Sequence, residues 1–166
     1  MLKYTTAKVV FSEVPNEIAL AIELSNCPYH CPACHSKELW GDIGEPLRVG
    51  KLIDLIEANK GITCVCFMGG DSDLEELYNL FKFIPMLYKD LKIAWYTGRE
   101  DIPWDCPHID YLKIGPYKEE FGPINKRTTN QKFYVCPKPT LKDPDGNWIV
   151  NYVDITQVFW KNDTDS

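Results

Sequence analysis

The sequence lacks the long segments that mark membrane proteins, secreted proteins and nucleic-acid binders. Its longest apolar run, residues 62–68, is far shorter than the roughly 20 residues of a membrane-spanning helix, and residues 1–4 contain no signal-peptide core. It has no long basic run, and 18 Lys and Arg against 24 Asp and Glu leave a formal charge of −6. We therefore expect a cytoplasmic protein that binds neither membranes nor nucleic acid.

The chain is also too short for a complete eight-unit βα barrel, which needs about 250 residues. Its 166 residues, with 45% hydrophobic and 25% charged types, have the size and composition of one globular domain. No internal repeat or low-complexity tract divides them. We predict a single domain spanning residues 1–166.

Strand and helix patterns alternate along most of the chain. Helical spacing of apolar residues predicts two helices, over 48–60 and 72–88, the second with a bend at Pro85. Runs of apolar and β-branched residues predict five strands, at 7–11, 17–24, 62–68, 91–96 and 108–114. Strands separated by helices are typical of right-handed parallel crossovers, so the predicted class is α/β with a mainly parallel sheet.

The C-terminal part has a weaker pattern. Residues 132–135 are a candidate strand, and Asp143-Pro144-Asp145-Gly146 is a strong turn signal between residues 139–142 and 148–153. We predict a terminal β-hairpin around this turn.

Three of the seven cysteines carry the clearest chemical signal. Cys27, Cys31 and Cys34 form a C-x3-C-x2-C sequence directly after the strand at 17–24, and two prolines and the small Ala33 between them favour a tight loop in which three thiolates converge. Thiolates bind zinc or iron–sulfur clusters. Zinc sites usually use two separated ligand pairs, and no second C-x2-C pair follows, so the spacing favours a cluster with one open iron.

This spacing resembles the hallmark of the radical S-adenosylmethionine enzymes, in which three cysteines hold a [4Fe–4S] cluster. The resemblance implies that Cys27, Cys31 and Cys34 are the cluster ligands and that S-adenosylmethionine chelates the fourth iron. Reduction of the cluster then cleaves the sulfonium to methionine and a 5′-deoxyadenosyl radical. The fold implied is an open, partial βα barrel.

Two further strand ends resemble cofactor motifs of the same enzymes. Gly69-Gly70-Asp71 resembles the Gly-Gly-Glu-type segment that receives the methionyl amino group, and Thr97-Gly98 resembles the Thr-Gly segment of small glycyl-radical activating enzymes. The carboxyl ends of parallel strands share one face, so these motifs are expected to meet the cysteines over one pocket. The resemblance also places Ala33, Cys34 and His35 against the cofactor.

Three less specific motifs resemble segments of the anaerobic ribonucleotide reductase activating protein family. They are Cys34-His35-Ser36-Lys37 followed by Trp40, residues 109–115 followed by Tyr117, and Thr128-Thr129-Asn130-Gln131. The resemblance covers about residues 17–135 and leaves 136–166 as a C-terminal extension. It implies hydrogen abstraction from a glycine of a partner enzyme, most naturally anaerobic ribonucleotide reductase, and a low-potential electron donor such as flavodoxin or ferredoxin.

Several alternatives remain open at this point. His30 or His35 could complete a zinc knuckle in a non-catalytic binding module, and the enzyme could instead activate another glycyl-radical enzyme or act on a small molecule. The glycine motifs are also compatible with plain turns, Asp71 with a helix N-terminus, and Asn130-Gln131 with loop capping. For Cys64 and Cys66 we favour core packing over redox chemistry, and we interpret Cys106 and Cys136 as incidental.

Overall fold

The computed structural model describes residues 1–161, which form one mixed β-sheet and two α-helices. The helices are α1 (Val49–Ala58) and α2 (Leu74–Leu87), and two 3-10 turns lie at Lys37–Trp40 and Thr156–Trp160. The strands, in chain order, are β1 (Lys3–Val10), β2 (Ala19–Leu24), β3 (Glu45–Pro46), β4 (Cys64–Met68), β5 (Lys92–Tyr96), β6 (Tyr111–Ile114), β7 (Lys132–Val135) and β8 (Val153–Asp154). The predicted α/β class is confirmed.

The eight strands lie in the order β3-β1-β2-β4-β5-β6-β7-β8. The four central strands, β2, β4, β5 and β6, are parallel, as the crossover pattern predicts. All other pairings are antiparallel, so the expectation of a mainly parallel sheet is wrong for its outer parts. The linear order gives the sheet two edges, at β3 and β8.

Both helices begin and end close to their predicted limits. In α2, the side chain of Asp73 caps the N-terminus by accepting a hydrogen bond from the backbone N–H of Glu76 at 3.2 Å. Pro85 lies inside the last turn and the helix ends two residues later. Leu87, which the spacing assigns to the buried side, is exposed, because the helix ends beside it.

The two faces of the sheet are packed differently. Both helices pack on one face, where the large side chains of the central strands, such as Phe67 and Trp95, are fully buried. The opposite face, called here the helix-free face, carries small side chains on the central strands and is covered partly by Phe133 and Phe159. Alternation along each strand therefore assigns every side chain to one of two distinct environments.

The C-terminal segment forms less regular structure than predicted. The turn at Asp143 exists, since Gly146 N–H donates to the Asp143 carbonyl at 3.0 Å, but a single bridge between Lys142 and Trp148 replaces the predicted hairpin strands. The regular pairing occurs later, where β8 adds to β7. No helix among residues 1–161 is long and apolar enough to cross a membrane.

Candidate functional site

A cavity of about 290 Å³ lies at the carboxyl ends of β2, β4, β5 and β6. It is called here the strand-end cavity. Its lining brings together the three cysteines of the loop after β2 with residues from the next two strand ends. The predicted site residues among them are Cys27, Cys31, Cys34, Gly69, Asp71, Thr97 and Gly98.

Three other predicted site residues lie outside the cavity lining. Ala33 lies in the cysteine loop without lining the cavity, and the ring of His35 packs edge-on against Tyr117, with 5.2 Å between centroids. Gly70 is buried behind the cavity wall. A β-carbon built on Gly70 would approach the side chains of Leu24 and Leu77 to 2.9 and 3.0 Å. Its missing side chain therefore serves core packing.

The cysteine loop is held by the segment that follows it. The backbone N–H of Cys27 donates to the Leu39 carbonyl at 2.9 Å, and the ring of His30 stacks on Trp40 at a centroid distance of 4.8 Å. His30 adopts a left-handed backbone conformation, with φ of 46°, which turns the chain sharply between Cys27 and Cys31. The loop is thus closed on itself and directs the cysteines toward the strand ends.

Backbone N–H groups point at two of the sulfur atoms. Ser36 N–H donates to Cys34 Sγ at 3.4 Å. The backbone N–H groups of Tyr29 and His30 interact with the Cys27 thiol and favour its thiolate form. Burial raises the pKa of the Cys27 thiol, and these two N–H groups partly oppose that increase. Donors of this kind stabilise thiolates, which are the form in which cysteine binds metals and clusters.

The loop offers three thiol groups, the donor type that iron–sulfur clusters require. All seven cysteines are free thiols, and the three in the loop are only partly buried. Within residues 1–161, no three His, Cys, Asp or Glu side chains are placed to hold one metal ion. His30 and His35, the candidates for a fourth zinc ligand, both pack against aromatic rings.

Asp71 connects the three strand ends through hydrogen bonds. Its Oδ1 accepts from the hydroxyl of Thr97, after β5, and from the phenol of Tyr29, in the cysteine loop, the latter at 3.2 Å. Desolvation raises the pKa of Asp71, and the Thr97 and Tyr29 hydrogen bonds partly oppose it. Its Oδ2 makes no hydrogen bond to another described residue, which leaves one carboxylate oxygen for a ligand.

Two of the three cavity-lining glycines, Gly69 and Gly98, allow close approach of neighbouring groups. Gly69 has φ of 103°, a conformation that side chains disfavour, and its carbonyl accepts from the Trp95 indole N–H at 2.9 Å. A β-carbon on Gly98 would lie 2.6 Å from Cδ2 of Tyr29. The aromatic ring of Tyr29 thus rests on the backbone of Gly98.

Another wall of the cavity comes from β6 and the loops around it. It contains Lys113, Gly115, Pro116, Tyr117 and Gln131. Gln131 is buried and donates through Nε2 to the Gly115 carbonyl at 3.2 Å. The neighbouring Asn130 donates to the Pro116 carbonyl at 2.9 Å, so the Asn130-Gln131 pair closes this loop, as the capping interpretation predicts.

Sequence reasoning did not identify Tyr29 as a site residue, and it included Trp40 and Lys113 only as members of family motifs without a role of their own. Tyr29 lies in the spacer between two cysteines, where the spacing carries no preference for residue type. The indole N–H of Trp40, on the cavity lining, is buried without a hydrogen-bond partner among residues 1–161. A lysine within a short strand ordinarily indicates a solvated face, so only its place beside the cavity distinguishes Lys113.

The remaining four cysteines lie outside the cavity. Cys64 and Cys66 are fully buried on the helix-free face, where burial raises the pKa of both thiols, so core packing is confirmed. Cys106 and Cys136 pack into the core beneath the helices, and burial raises the pKa of each thiol to about 12. Such thiols are poor nucleophiles at neutral pH.

No family model, curated protein or solved structure matches this chain.

Proposed function

We propose that the chain is a radical S-adenosylmethionine enzyme that generates a glycyl radical on a partner enzyme, most naturally anaerobic ribonucleotide reductase. The single observation that carries the proposal is the strand-end cavity. Its lining combines three free thiols on the loop after β2 with residues that follow β4 and β5, namely Gly69, Asp71, Thr97 and Gly98.

The residues present suit the two groups that this function requires. Cys27, Cys31 and Cys34 would hold a [4Fe–4S] cluster, and the cluster with S-adenosylmethionine would supply one-electron cleavage of the sulfonium and, through it, hydrogen-atom abstraction. Asp71, with its Oδ2 unpartnered, would accept from the ammonium group at the methionyl end. Gly69 lines the cavity beside Asp71, and its positive φ and the close approach of Leu24 favour glycine at this position.

The hydrogen bonds within the site have a positioning role in this proposal. Thr97 and Tyr29 both donate to Asp71 Oδ1, which orients the carboxylate and leaves its other oxygen toward the cavity. The Tyr29 contact also joins the cysteine loop to the end of β4. The loop and the two strand ends would then hold cluster and cofactor in a fixed relation, which is what a short-lived radical requires.

The open sheet suits a polypeptide substrate. The described strands form a linear order with β3 and β8 at the edges, so the strand ends are not enclosed by a complete ring. A partial barrel of the radical S-adenosylmethionine type, which we propose for this sheet, would admit a loop of the partner enzyme from the side. A free electron donor, flavodoxin or ferredoxin, would approach the cysteine loop.

The test is anaerobic purification with analysis of iron, sulfide and zinc, followed by electron paramagnetic resonance (EPR) after dithionite reduction. About four irons per chain and a spectrum that shifts on addition of S-adenosylmethionine are expected. One zinc, no sulfide and no cofactor response would contradict the enzyme assignment and identify a zinc-binding module.

Matched variants localise the cluster. Cys31→Ala is expected to abolish cluster assembly, whereas Cys106→Ala, which removes a partly buried thiol outside the cavity, is expected to leave it intact. Addition of anaerobic ribonucleotide reductase should then give a glycyl-radical EPR signal. Cofactor cleavage without that signal would redirect the assignment to another glycyl-radical enzyme or to a small-molecule substrate.

A further inference from the structure

We propose that Trp40 is a hydrogen-bond donor to the cluster: its indole N–H donates to a cluster sulfur and thereby favours the reduced state. The inference rests on the proposed function, because it requires a cluster on Cys27, Cys31 and Cys34. It adds to that function a fourth side chain that contacts the cluster without being a ligand to iron.

The backbone holds Trp40 beside the first cysteine of the loop. Two hydrogen bonds bracket it: Cys27 N–H donates to the Leu39 carbonyl and Asn26 N–H donates to the Gly41 carbonyl, each at 2.9 Å. The side chain of Trp40 lines the strand-end cavity together with all three cysteines of the loop. The indole is therefore fixed next to the cysteine loop.

Two side chains pack on the indole ring, and neither accepts its hydrogen bond. The ring of His30, in the spacer between the first two cysteines, stacks on it with 4.8 Å between centroids and 15° between planes. The ammonium of Lys37, which is itself a donor, is 5.7 Å from the ring centroid. Stacking covers a face of the ring, whereas the N–H lies in the ring plane. His30 therefore orients the indole and leaves its donor free.

The indole nitrogen has no acceptor in the described part of the chain. It is buried from solvent, although the side chain as a whole is only partly buried, and no group among residues 1–161 accepts its hydrogen bond. The indole N–H of Trp95, by contrast, donates to the Gly69 carbonyl at 2.9 Å. Most buried donors are satisfied, and an unsatisfied one disfavours folding. An unsatisfied donor in the wall of a cavity indicates that the acceptor belongs to what the cavity binds.

The sulfur atoms held by the loop are the acceptors nearest to this donor in the chain. Cys34 Sγ accepts from Ser36 N–H at 3.4 Å, and backbone N–H groups favour the thiolate of Cys27. Within residues 1–161, Cys31 Sγ accepts no hydrogen bond. His30 directly precedes Cys31, so the stacking of Trp40 on His30 brings a donor toward the sulfur that lacks one.

A hydrogen bond to a cluster sulfur favours reduction of the cluster. Reduction transfers one electron from the low-potential donor to the cluster, and no covalent bond forms or breaks in this step. The added negative charge lies partly on the sulfurs, so a donor stabilises the reduced state more than the oxidised state and raises the reduction potential. Trp40 thus makes the electron transfer that precedes cofactor cleavage more favourable.

The test detects the indole nitrogen at the cluster and measures the potential in the anaerobically reconstituted protein. Tryptophan labelled with ¹⁵N in the indole ring is incorporated, and pulsed EPR of the dithionite-reduced cluster is recorded without S-adenosylmethionine. A ¹⁵N coupling is expected in the wild type and not in Trp40→Phe, which keeps a ring to stack on His30. In this variant the midpoint potential is expected to fall by about 59 mV, a tenfold change in the ratio of the two oxidation states.

Trp160→Phe is the matched control. The indole N–H of Trp160 is also buried without an acceptor among residues 1–161, but Trp160 does not line the cavity. Its replacement should change neither the coupling nor the potential. If Trp40→Phe assembles no cluster, replacement of Trp40 by benzothienylalanine, which has the shape of tryptophan and lacks the N–H, takes its place in the comparison.

Three results overturn the proposal. The first is a reduced cluster without ¹⁵N coupling, and the second is an unchanged potential when the N–H of Trp40 is removed. The third is a coupling that appears only after S-adenosylmethionine is added, because the acceptor is then the cofactor. A wild-type protein that assembles no cluster contradicts the proposed function and this inference with it, whereas a cluster without the coupling contradicts this inference alone.

Discussion

The phenol of Tyr29 donates a hydrogen bond to the carboxylate of Asp71, with 3.2 Å between the oxygen atoms, and joins the cysteine loop to the end of β4. The two residues are far apart in the sequence, and one of them lies inside the cysteine spacer. The backbone of Gly98 makes this contact possible, because the Tyr29 ring occupies the space of its missing side chain.

Gly98→Ala is expected to break this contact. The added β-carbon would lie 2.6 Å from Cδ2 of Tyr29, so the ring must move away from Asp71. We expect a lower thermal midpoint and weaker binding of S-adenosylmethionine by the reconstituted protein. The matched control is Gly50→Ala, in α1, where nothing lies within 4 Å of the added carbon and a gain of about 0.5–1 kcal/mol is expected.

A double variant tests the cause. Tyr29→Ala with Gly98→Ala removes the clashing ring, so the midpoint should recover toward that of Tyr29→Ala alone. If Gly98→Ala is as stable as the wild type and binds the cofactor as well, the Tyr29 ring does not depend on this glycine.

Gly70→Ala is expected to act on the core, although its motif resembles a cofactor-binding segment. The new β-carbon would lie within 3.1 Å of Leu24 and Leu77 side-chain atoms, and φ of 95° disfavours any side chain. Overpacking of this kind costs about 1–3 kcal/mol, which denaturant unfolding would measure. The folded fraction should still assemble the cluster, because Gly70 does not line the cavity. Normal stability with loss of cofactor binding would reverse this assignment.

The sequence predicts the central sheet well because its signal is local. Residues 62–68 are apolar except for Thr63, and a strand flanked by parallel neighbours is buried on both faces, so composition alone identifies β4. The hairpin predicted around Asp143 forms only in a short version, with one antiparallel bridge between Lys142 and Trp148, because a strong turn does not by itself supply long flanking strands. The strand that extends the sheet beyond β7 is β8, which follows the turn later in the chain.

The candidate site could be predicted only where its residues form a motif. The spacing of the cysteines identifies Cys27, Cys31 and Cys34 in the sequence. The positions of Tyr29 and Lys113 in the site depend on neighbours that only the fold brings close. Gly70 is the opposite case. It matches a cofactor motif, but the close packing of Leu24 and Leu77 is what requires glycine at this position. Spacing identifies a donor set, and tertiary contacts decide which neighbouring residues act with it.

Glu17→Gln is expected to destabilise the end of the sheet opposite the cavity. The buried Glu17 carboxylate accepts hydrogen bonds from Lys92, from Thr63 at 2.5 Å and from Tyr111 at 2.7 Å. Burial raises the pKa of Glu17, but these donors outweigh it and hold the pKa below its ordinary value of 4.5. At neutral pH the variant should lose about 1.5–3 kcal/mol, the range for hydrogen bonds to a charged group.

The pH dependence of the unfolding free energy tests whether the charge of the Glu17 carboxylate causes this loss. Because the folded pKa is depressed, the stability from Glu17 is fully present above the unfolded pKa and is lost as pH falls through the folded pKa. Unfolding free energies of the wild type and of Glu17→Gln should therefore converge below pH 4.5. A difference that stays constant from pH 7 to pH 3 would mean that shape, and not charge, explains the loss.

Lys113→Met is expected to stabilise the chain at neutral pH, which would be unusual for a residue with a structural role. The pKa of Lys113 is lowered to about 8 by desolvation, and the neighbouring Cys66 thiol acts weakly in the opposite direction. Below pH 8 the folded protein carries the unfavourable charge. Between about pH 8 and 10.5 the unfolded chain binds more protons than the folded one, so wild-type stability rises with pH.

The variant lacks this rise, so its advantage over the wild type should shrink as pH increases from 8 toward 10.5. Other thiols and phenols titrate in the same range, but they are shared by both proteins and cancel in the difference. Denaturant unfolding at several pH values measures it. If Lys113→Met is less stable than the wild type at every pH, the ammonium of Lys113 supports the fold.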